Sequence, residues 1–268
     1  MSISTLFPRT PAVIGMIHLK PLPGSPDFDG TLTDAVEKAL QEADILAAGG
    51  VDGIIVENFW DSPFPKEKSD PVTVSGITVC VREIVKAVKV PVGVNILRND
   101  ALSALSVAHV TGAAFIRVNV LTHAMVTDQG IIEGCSYDLS RLKKRLGSKV
   151  HVFADVMVKH AYPLAAMDIA TVAKDTASRG GADVLIVSGT GTGAPIAIED
   201  ARRIKEAVPE VPLASGSGVE PGNIIDLSEY IDLFIVGTYF KKDGKVENPI
   251  DSERVSSLVE MVRRGRRK

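Results

Sequence analysis

Two segments near the C-terminus each combine an apolar run with small residues whose bare backbone suits an anion. The first, at 211–218, ends in Ser215, Gly216, Ser217 and Gly218, and the second, at 233–240, passes through Gly237 and Thr238. Glycine has no Cβ to block close approach, so such turns expose amide N–H groups to a phosphate. Glycines also serve ordinary turns between a strand and a helix. Their occurrence in two consecutive segments favours a phosphate site.

Four ionisable residues lie at the ends of other apolar runs, or just beyond them, and suit proton or charge transfer. They are His18, Glu57, Asp155 and Lys159. A carboxylate or an imidazole in a cleft acts as a general acid or base. A lysine neutralises a phosphate or, when desolvated, acts as a base or forms a Schiff base, and charge neutralisation is the favoured role. His18, Glu57 and Asp155 also offer ligands to a divalent metal, but their spacing matches no compact metal motif, so no metal site is assigned.

Further polar residues at the ends of apolar runs suit substrate binding. They are Asn95, Arg117, Asn119, Ser188, Gly189 and Thr190, the last three within an SGTGTG segment at 188–193. A buried arginine needs a partner, so Arg117 is expected to lie against Glu57 or Asp155 and to hold the carboxylate pKa values down. That pair has a purely structural alternative, and His18 has one as an ordinary buried histidine. The SGTGTG segment either binds polar groups of a sugar, ribose or phosphate or is a mobile loop.

Bringing these residues into one site requires a fold that gathers the ends of many strands. Short β-branched runs alternate with amphipathic stretches along the whole chain. Strands are predicted at 13–19, 53–57, 92–97, 115–120, 150–156, 184–188, 213–217 and 233–238, and helices at 33–48, 71–88, 100–111, 137–146, 168–179, 199–208, 221–228 and 251–264. Eight such units without a change of composition predict an α/β fold, a closed (β/α)8 TIM barrel of the phosphate-binding type, formed by residues 1–268 as a single domain.

Two of the predicted loops on the C-terminal face of this barrel are long. Residues 58–70 contain the single tryptophan, Trp60, and residues 121–136 contain a turn-like segment at 127–130 that ends in glycine. Long loops at this position commonly cover substrate, whereas aromatic residues beside prolines are as frequent at interfaces. The sequence therefore leaves open whether either loop is a lid or an oligomer contact.

The composition bounds the classes of partner. A net charge of −3 argues against bulk nucleic-acid binding, and the basic tail at 263–268 suits a helix C-terminus better than a peripheral contact with anionic lipid. No apolar run approaches the roughly 20 residues that cross a bilayer, and no signal peptide is recognised, so a cytoplasmic location is predicted. The glycine segments match neither the dinucleotide-binding nor the P-loop motif, so no dinucleotide is expected. Cys80 and Cys135 are predicted to be free thiols, and association into a homo-oligomer is expected.

Several longer motifs resemble the BtpA/SgcQ family. They are IGMIHLKPLPGSP at 14–26, VENF at 56–59, VGVNILRND at 92–100, FIRVN at 115–119, DVMVKHA at 155–161, VSGTGTG at 187–193 and ASGSG at 214–218. The resemblance spans nearly the whole chain and implies a TIM barrel. It also implies a name drawn from the biogenesis of photosynthetic membrane complexes, notably photosystem I, while other members look like uncharacterised sugar- or nucleoside-related enzymes. No catalytic residue is carried over from the family.

Two functional hypotheses follow from the residues and the resemblance. The first is an enzyme that binds a small phosphorylated metabolite at the C-terminal face, with Glu57 or Asp155 moving protons in a lyase, isomerase or hydrolase-like reaction. The second is a non-catalytic factor for the assembly or stabilisation of a membrane complex, in which the outer surface and the Trp60 loop contact a partner. A response to phosphorylated ligands distinguishes the two.

Overall fold

The computed structural model describes residues 2–189, 191–216 and 218–265. The strands are β1 (Ala12–His18), β2 (Gly53–Glu57), β3 (Val92–Asn95), β4 (Phe115–Val118), β5 (Ala124–Thr127), β6 (Gly130–Glu133), β7 (His151–Met157), β8 (Ala161–Pro163), β9 (Val184–Val187), β10 (Leu213–Ser215) and β11 (Leu233–Val236). The α-helices are α1 (Ile3–Leu6), α2 (Leu32–Ala48), α3 (Pro71–Ala87), α4 (Ala101–Thr111), α5 (Ser136–Leu146), α6 (Ile169–Lys174), α7 (Ile198–Ala207), α8 (Ile224–Leu227) and α9 (Ser252–Gly265). A π-helical turn at Asp175–Arg179 continues α6, and 3-10 turns at Thr238–Phe240 and Lys242–Gly244 follow β11.

Eight of the strands in the described chain form a closed parallel barrel. Their order is β1, β2, β3, β4, β7, β9, β10 and β11, and β11 pairs with β1 to close the ring. Strands buried on both faces read as continuous apolar runs, and β1 is buried along its whole length. The predicted (β/α)8 barrel is confirmed, and each of the eight predicted strands overlaps one of these strands.

Helix boundaries follow local sequence signals with one clear exception. Thr31 and Asp34 form a reciprocal capping box at the start of α2, and Gly112, with a φ of +86°, ends α4. The helix predicted at 221–228 shortens to the four residues of α8. Asn223 holds the preceding residues in a turn by accepting from Glu220 N at 3.0 Å and donating to Gly218 O at 2.7 Å.

Inward-facing residues fill the lower barrel and set the position of the mouth. Alternate strand residues form an inner apolar cluster with Phe7, among them Met16, Ile55, Phe115, Phe153, Ile186, Ala214 and Ile235. Side chains alternate along a strand, so the residue two positions later points inward one layer higher. Those residues are His18, Glu57, Arg117, Asp155, Ser188, Gly216 and Gly237. The apolar layer therefore ends where the predicted polar residues begin.

The loop predicted at 121–136 contains a hairpin that the sequence did not predict. β5 and β6 pair in antiparallel fashion around the turn, where Gly130 has a φ of +100°, and β8 adds to the other edge of β5. The predicted turn at 127–130 is thus confirmed. The two strands are only four residues long, and their inner residues Met125 and Ile132 pack on a small cluster of their own. Too few residues alternate to give a readable strand pattern.

Three expectations from composition concern the remaining chain. Cys80 and Cys135 are free, and burial raises the pKa of each thiol to about 12, which leaves both unreactive. Within the described ranges, none of the helices has the length and apolar character needed to cross a lipid bilayer. In the basic tail, Arg263 donates to Gly50 O at 2.7 Å, and residues 266–268 lie outside the described chain.

Candidate functional site

A cavity of about 220 Å³ opens at the carboxyl ends of the barrel strands. Its wall contains eight of the residues predicted for catalysis and binding, namely His18, Glu57, Arg117, Lys159, Gly216, Gly218, Gly237 and Thr238. They come from six different strands or the loops that follow them, because a closed barrel brings all strand ends to one face. The structure thus places residues predicted for proton transfer and residues predicted for phosphate binding in one cavity.

Asp155 lies behind the wall of this cavity and is fully engaged. Arg117 donates to it twice, from Nε to Oδ2 and from Nη2 to Oδ1, both at 2.9 Å. Ser188 Oγ donates to Oδ1 at 2.8 Å and Asn119 Nδ2 to Oδ2 at 3.3 Å. A carboxylate accepts about four hydrogen bonds, so these four contacts use its whole capacity. Asp155 therefore fixes Arg117 in place and offers no free oxygen to a ligand.

Glu57 has no comparable partner. Its Oε1 lies 4.0 Å from His18 Nε2, and its side chain makes no hydrogen bond to another residue of the described chain. Burial raises the pKa of Glu57, against the opposing charges of Arg117 and Lys159. Of the two partners expected for Arg117, the structure has Asp155, and the expectation of a lowered pKa is wrong for Glu57, because burial outweighs the charge of Arg117.

His18 stands beside Glu57 as a buried imidazole. Its ring stacks on Phe59 with a centroid distance of 4.5 Å and an interplanar angle of 27°, and its Nδ1 has no partner among the described residues. Burial, with a contribution from the charge of Lys241, lowers the pKa of His18 well below 6.5. The ring is therefore neutral at physiological pH, so that it can donate one hydrogen bond and accept another.

Two lysines near the mouth, Lys241, which is buried, and Lys159, which is half-buried, differ in how their charge is satisfied. Lys241 Nζ donates to Glu42 at 2.7 Å, and both side chains are almost wholly buried. Lys159 makes no side-chain hydrogen bond or ion pair within the described chain, although it lines the cavity. Burial and the charge of Arg117 lower the pKa of Lys159 to about 8. Lys159 is thus a cation that lacks a counter-ion in the protein.

The glycines after β10 serve packing more than anion binding. Gly216 N donates to Val187 O at 2.8 Å, so this amide is not available to a ligand. A Cβ at Gly216 would lie 2.5 Å from Ile186 Cγ2. Gly218 has a φ of +69°, and a Cβ there would lie 2.0 Å from Ala194 O, so only glycine fits.

Two predicted phosphate residues and one predicted substrate residue do not reach the cavity or cannot be placed. Ser215 is fully buried on β10, one position before Gly216, and its hydroxyl has no partner among the described residues. Since Ala214 and Gly216 face the interior, alternation turns Ser215 toward the helices. Thr190 and Ser217 lie outside the described residues. Of the residues predicted for phosphate binding, Gly216, Gly218, Gly237 and Thr238 line the cavity, and Thr238 begins a 3-10 turn.

The remaining predicted substrate residues support the wall from behind. Asn95 is 1% exposed and donates to Arg117 O and Asn119 Oδ1, both at 3.2 Å. Gly189 allows the following loop to fold back, because a Cβ there would lie 2.3 Å from Ala194 O. Among the described residues of this predicted set, Arg117 and Asn119 line the first cavity or the one beside it.

A second cavity of about 280 Å³ adjoins the first and was not predicted. It shares Glu57, Arg117, Lys159 and Thr192 with the first cavity, and its wall also contains Phe59, Trp60, Ser62, Phe64, Leu97, Arg98, Asn119 and His160. Arg98 Nη2 also donates to Lys159 O at 2.6 Å. The sequence left open whether the loop at 58–70 is a lid or an oligomer contact, and the structure places its aromatic residues in the wall of this cavity.

Arg254 is another site residue that sequence reasoning missed. It lies in the first turn of α9, lines the first cavity and donates from Nε to Tyr239 O at 2.6 Å. Its guanidinium carbon lies 4.2 Å from the centre of the Tyr239 ring. Arg254 reaches the site from the last helix rather than from a strand end. The alternation of side chains along strands therefore gives no signal for it.

No group of three or more His, Cys, Asp or Glu side chains in the described chain is arranged to hold a metal ion. His18 and Glu57 are neighbours, but both oxygens of Asp155 are held by Arg117. The three residues considered for a divalent metal therefore do not form one cluster.

Comparison with known proteins gives matches along almost the whole chain. The model of the BtpA family matches residues 9–264. The Photosystem I biogenesis protein BtpA of Synechocystis sp. is 47% identical over 265 residues, which are 99% of this chain and 92% of that protein. An uncharacterised protein of Methanocaldococcus jannaschii is 47% identical over 257 residues, 96% of this chain and 97% of that protein. N-(5'-phosphoribosyl)anthranilate isomerase from Pyrococcus furiosus shares the fold, with a TM-score of 0.57 at 14% identity over 94% of this chain and 99% of that chain.

Proposed function

The chain belongs to the BtpA family, and we propose that it is an enzyme that binds a small phosphorylated metabolite at the C-terminal face of its barrel. One observation carries the proposal: the half-buried amine of Lys159, without a counter-ion in the described chain, shares a cavity with the unpaired carboxyl of Glu57. A cation that is partly removed from water and has no counter-ion favours an anion that enters from outside. A carboxyl with a raised pKa suits proton transfer near neutral pH.

The phosphate group is assigned to the side of the cavity near Gly237 and Thr238. Lys159 and Arg254 border the same cavity and bring two cations of different geometry to it. Hydrogen bonds between charged groups and a phosphate are about twice as strong as neutral ones. Glu220, which also lines this cavity, is the acidic residue that would select hydroxyl groups rather than a second phosphate.

The remaining groups suit a reaction that begins with proton transfer. Glu57 serves as the general acid or base, and the neutral ring of His18 donates to the substrate oxygen on which negative charge develops. Arg117 orients the substrate, and Asp155 acts as the positioning residue that holds Arg117. This arrangement supports a lyase, isomerase or hydrolase-like reaction on a sugar- or nucleoside-related substrate.

Phosphorylated sugars are expected to raise the melting temperature of the protein. At a hundredfold excess over Kd a ligand adds about 2.7 kcal/mol to the free energy of unfolding. Gly237→Ala is expected to raise the Kd of the phosphorylated sugar about tenfold and so to reduce its stabilising effect. A methyl group that enters the cavity removes a buried contact of about 1.4 kcal/mol. The same methyl group would lie 3.4 Å from His18 and Met16, so the fold tolerates it.

A thermal-shift series with inorganic phosphate, pentose phosphates and hexose phosphates tests this expectation. Gly265→Ala is the matched control, since a Cβ there meets no atom within 4 Å. If no compound of the series stabilises the wild-type protein, the proposed phosphate site does not exist.

Anion binding is expected to weaken as the pH rises through 8. The pKa of Lys159, lowered to about 8 by burial, makes its ammonium mostly protonated at pH 7 and mostly neutral at pH 9. A phosphate monoester is already a dianion in this range, because its second pKa is about 6. Calorimetric affinity should fall on the order of tenfold between pH 7.5 and 9.5. Lys159→Arg stays charged, so its profile should be flat, and an equally flat wild-type profile would separate Lys159 from the anion.

A role in the assembly of a membrane complex is the second candidate function. It is favoured by exposed apolar side chains on the three-stranded sheet of β5, β6 and β8 and just after β8. They are Val126, Ile131, Tyr162 and Leu164. The photosystem I name belongs to the cyanobacterial relative. In this candidate the apolar surface contacts a partner or a second copy, and the cavity binds no metabolite. Absence of any response to phosphorylated compounds, together with capture of a membrane-complex subunit that Tyr162→Glu abolishes, would favour it.

A further inference from the structure

The second cavity has a wall unlike that of the first. Three large aromatic side chains, Phe59, Trp60 and Phe64, lie along it together with Leu97. None of the three aromatic residues belongs to the hydrophobic clusters that the described residues form in the barrel. All three remain partly exposed. Their apolar surface is therefore not used to stabilise the core and is available to a ligand.

Buried hydrogen bonds hold the aromatic loop in this position. Asn58 Oδ1 accepts from Leu97 N at 2.8 Å, and Asn58 Nδ2 donates to Asp61 Oδ2 at 3.1 Å. Asp61 Oδ1 accepts from Leu22 N at 2.8 Å. Both Asn58 and Asp61 are buried, so these bonds are protected from competition with water. The loop is thus anchored to the chain after β1 and to the chain after β3, through residues on either side of Phe59 and Trp60.

The aromatic rings in the wall of the second cavity meet their neighbours both face to face and edge to face. Phe59 stacks on His18, and the Phe59 and Trp60 rings meet edge to face, with centroids 5.1 Å apart and an interplanar angle of 86°. Arg98 and His160 line the same wall and add planar groups that carry N–H donors. Such a combination of apolar faces and polar edges recognises a flat ring with hydrogen-bonding atoms on its periphery.

We infer that the second cavity binds a planar heterocycle and that the substrate is of nucleoside monophosphate class, with its phosphate in the first cavity. Glu57, Arg117, Lys159 and Thr192 border both cavities, so one ligand that occupies both would pass its sugar across these residues. The inference rests on the proposed function, because the phosphate end is that of the proposed site. It deepens that function by requiring a ring that a simple sugar phosphate lacks.

Trp60 is the single tryptophan of the chain, so intrinsic fluorescence reports on this cavity directly. Titration with AMP and UMP is expected to change the fluorescence, whereas ribose 5-phosphate is expected to bind without an equal change. Base stacking on aromatic residues contributes about 1–3 kcal/mol. The nucleotides should therefore bind about 5- to 150-fold more tightly than ribose 5-phosphate in calorimetry.

Two variants and a control locate the effect in the aromatic wall. Trp60→Leu, followed by calorimetry, and Phe64→Leu, followed by fluorescence, should each remove most of the advantage of the nucleotides and leave the affinity for ribose 5-phosphate unchanged. Tyr162→Leu changes an aromatic residue that is 77% exposed and outside both cavities, so it should leave the affinities for the nucleotides and for ribose 5-phosphate unchanged. Circular dichroism verifies that each variant is folded.

The outcomes separate this inference from the proposed function. Equal affinity for ribose 5-phosphate and the nucleotides overturns the inference that the second cavity binds a planar ring, and it leaves the proposed phosphate site unaffected. A nucleotide advantage that survives in Trp60→Leu and Phe64→Leu also overturns it. Another outcome is that adenosine changes the Trp60 fluorescence while no phosphate compound binds more tightly than its unphosphorylated form. That result supports ring binding in the second cavity and contradicts the proposed phosphate site.

Discussion

Asp155→Asn is expected to lower the free energy of unfolding by about 3–5 kcal/mol. The change removes the charge that faces Arg117, whose side chain is only 3% exposed and has no other carboxylate bonded to it in the described chain. The arginine stays charged, so the mutant buries an uncompensated cation and loses one of the two hydrogen bonds of the bidentate pair. Urea unfolding followed by circular dichroism measures the change in midpoint.

Two controls decide whether the loss comes from the buried pair. Glu83→Gln breaks the pair with Lys86, whose side chains are 39% and 53% exposed, and an exposed pair is expected to contribute less than about 1 kcal/mol. The double variant Arg117→Met with Asp155→Asn should be more stable than the sum of the single changes predicts, because no charge is left without a partner. A wild-type midpoint in Asp155→Asn together with lost ligand turnover would instead make Asp155 a catalytic residue.

The difference between Asp155 and Glu57 shows what a sequence can and cannot reveal about this site. Their positions at the ends of apolar runs predicted that both carboxylates and Arg117 lie at strand ends. The closed barrel brings these strand ends together, as predicted. Arg117 on β4 bonds Asp155 on the neighbouring strand β7, whereas Glu57 lies on β2, beyond β3. That choice leaves Glu57 unpaired and reverses the expected direction of its pKa.

The same limit applies to the glycine-rich rim. The sequence predicted that glycines would surround a cavity, and Gly216, Gly218 and Gly237 do so. It could not show that the Gly216 amide is used in the sheet, or that Ser215 is turned toward the helices, because each follows from the exact end of β10. Arg254 reaches the cavity from α9 through packing between distant segments, which no local pattern encodes.

Lys159→Met is expected to weaken binding of a phosphorylated ligand by about 10- to 100-fold, since a hydrogen bond to a charged group contributes about 1.5–3 kcal/mol. The same change is expected to make the unliganded protein more stable at pH 7, on the order of 2 kcal/mol, because it removes a desolvated charge. The matched change Lys241→Met should instead make the unliganded protein less stable. It leaves Glu42 buried without its partner and is expected to cost about 3–5 kcal/mol.

The pH dependence of this gain is a further test of its cause. The pKa of Lys159 in the folded protein, about 8, lies below the roughly 10.4 of an unfolded lysine. Between these values the unfolded state binds the extra proton, so the wild-type protein gains stability as the pH rises. The stability advantage of Lys159→Met should therefore be full below pH 8 and vanish near pH 10, when urea midpoints of the two proteins are compared. An advantage that does not change with pH would mean that better packing by methionine, and not the removal of a buried charge, stabilises the variant.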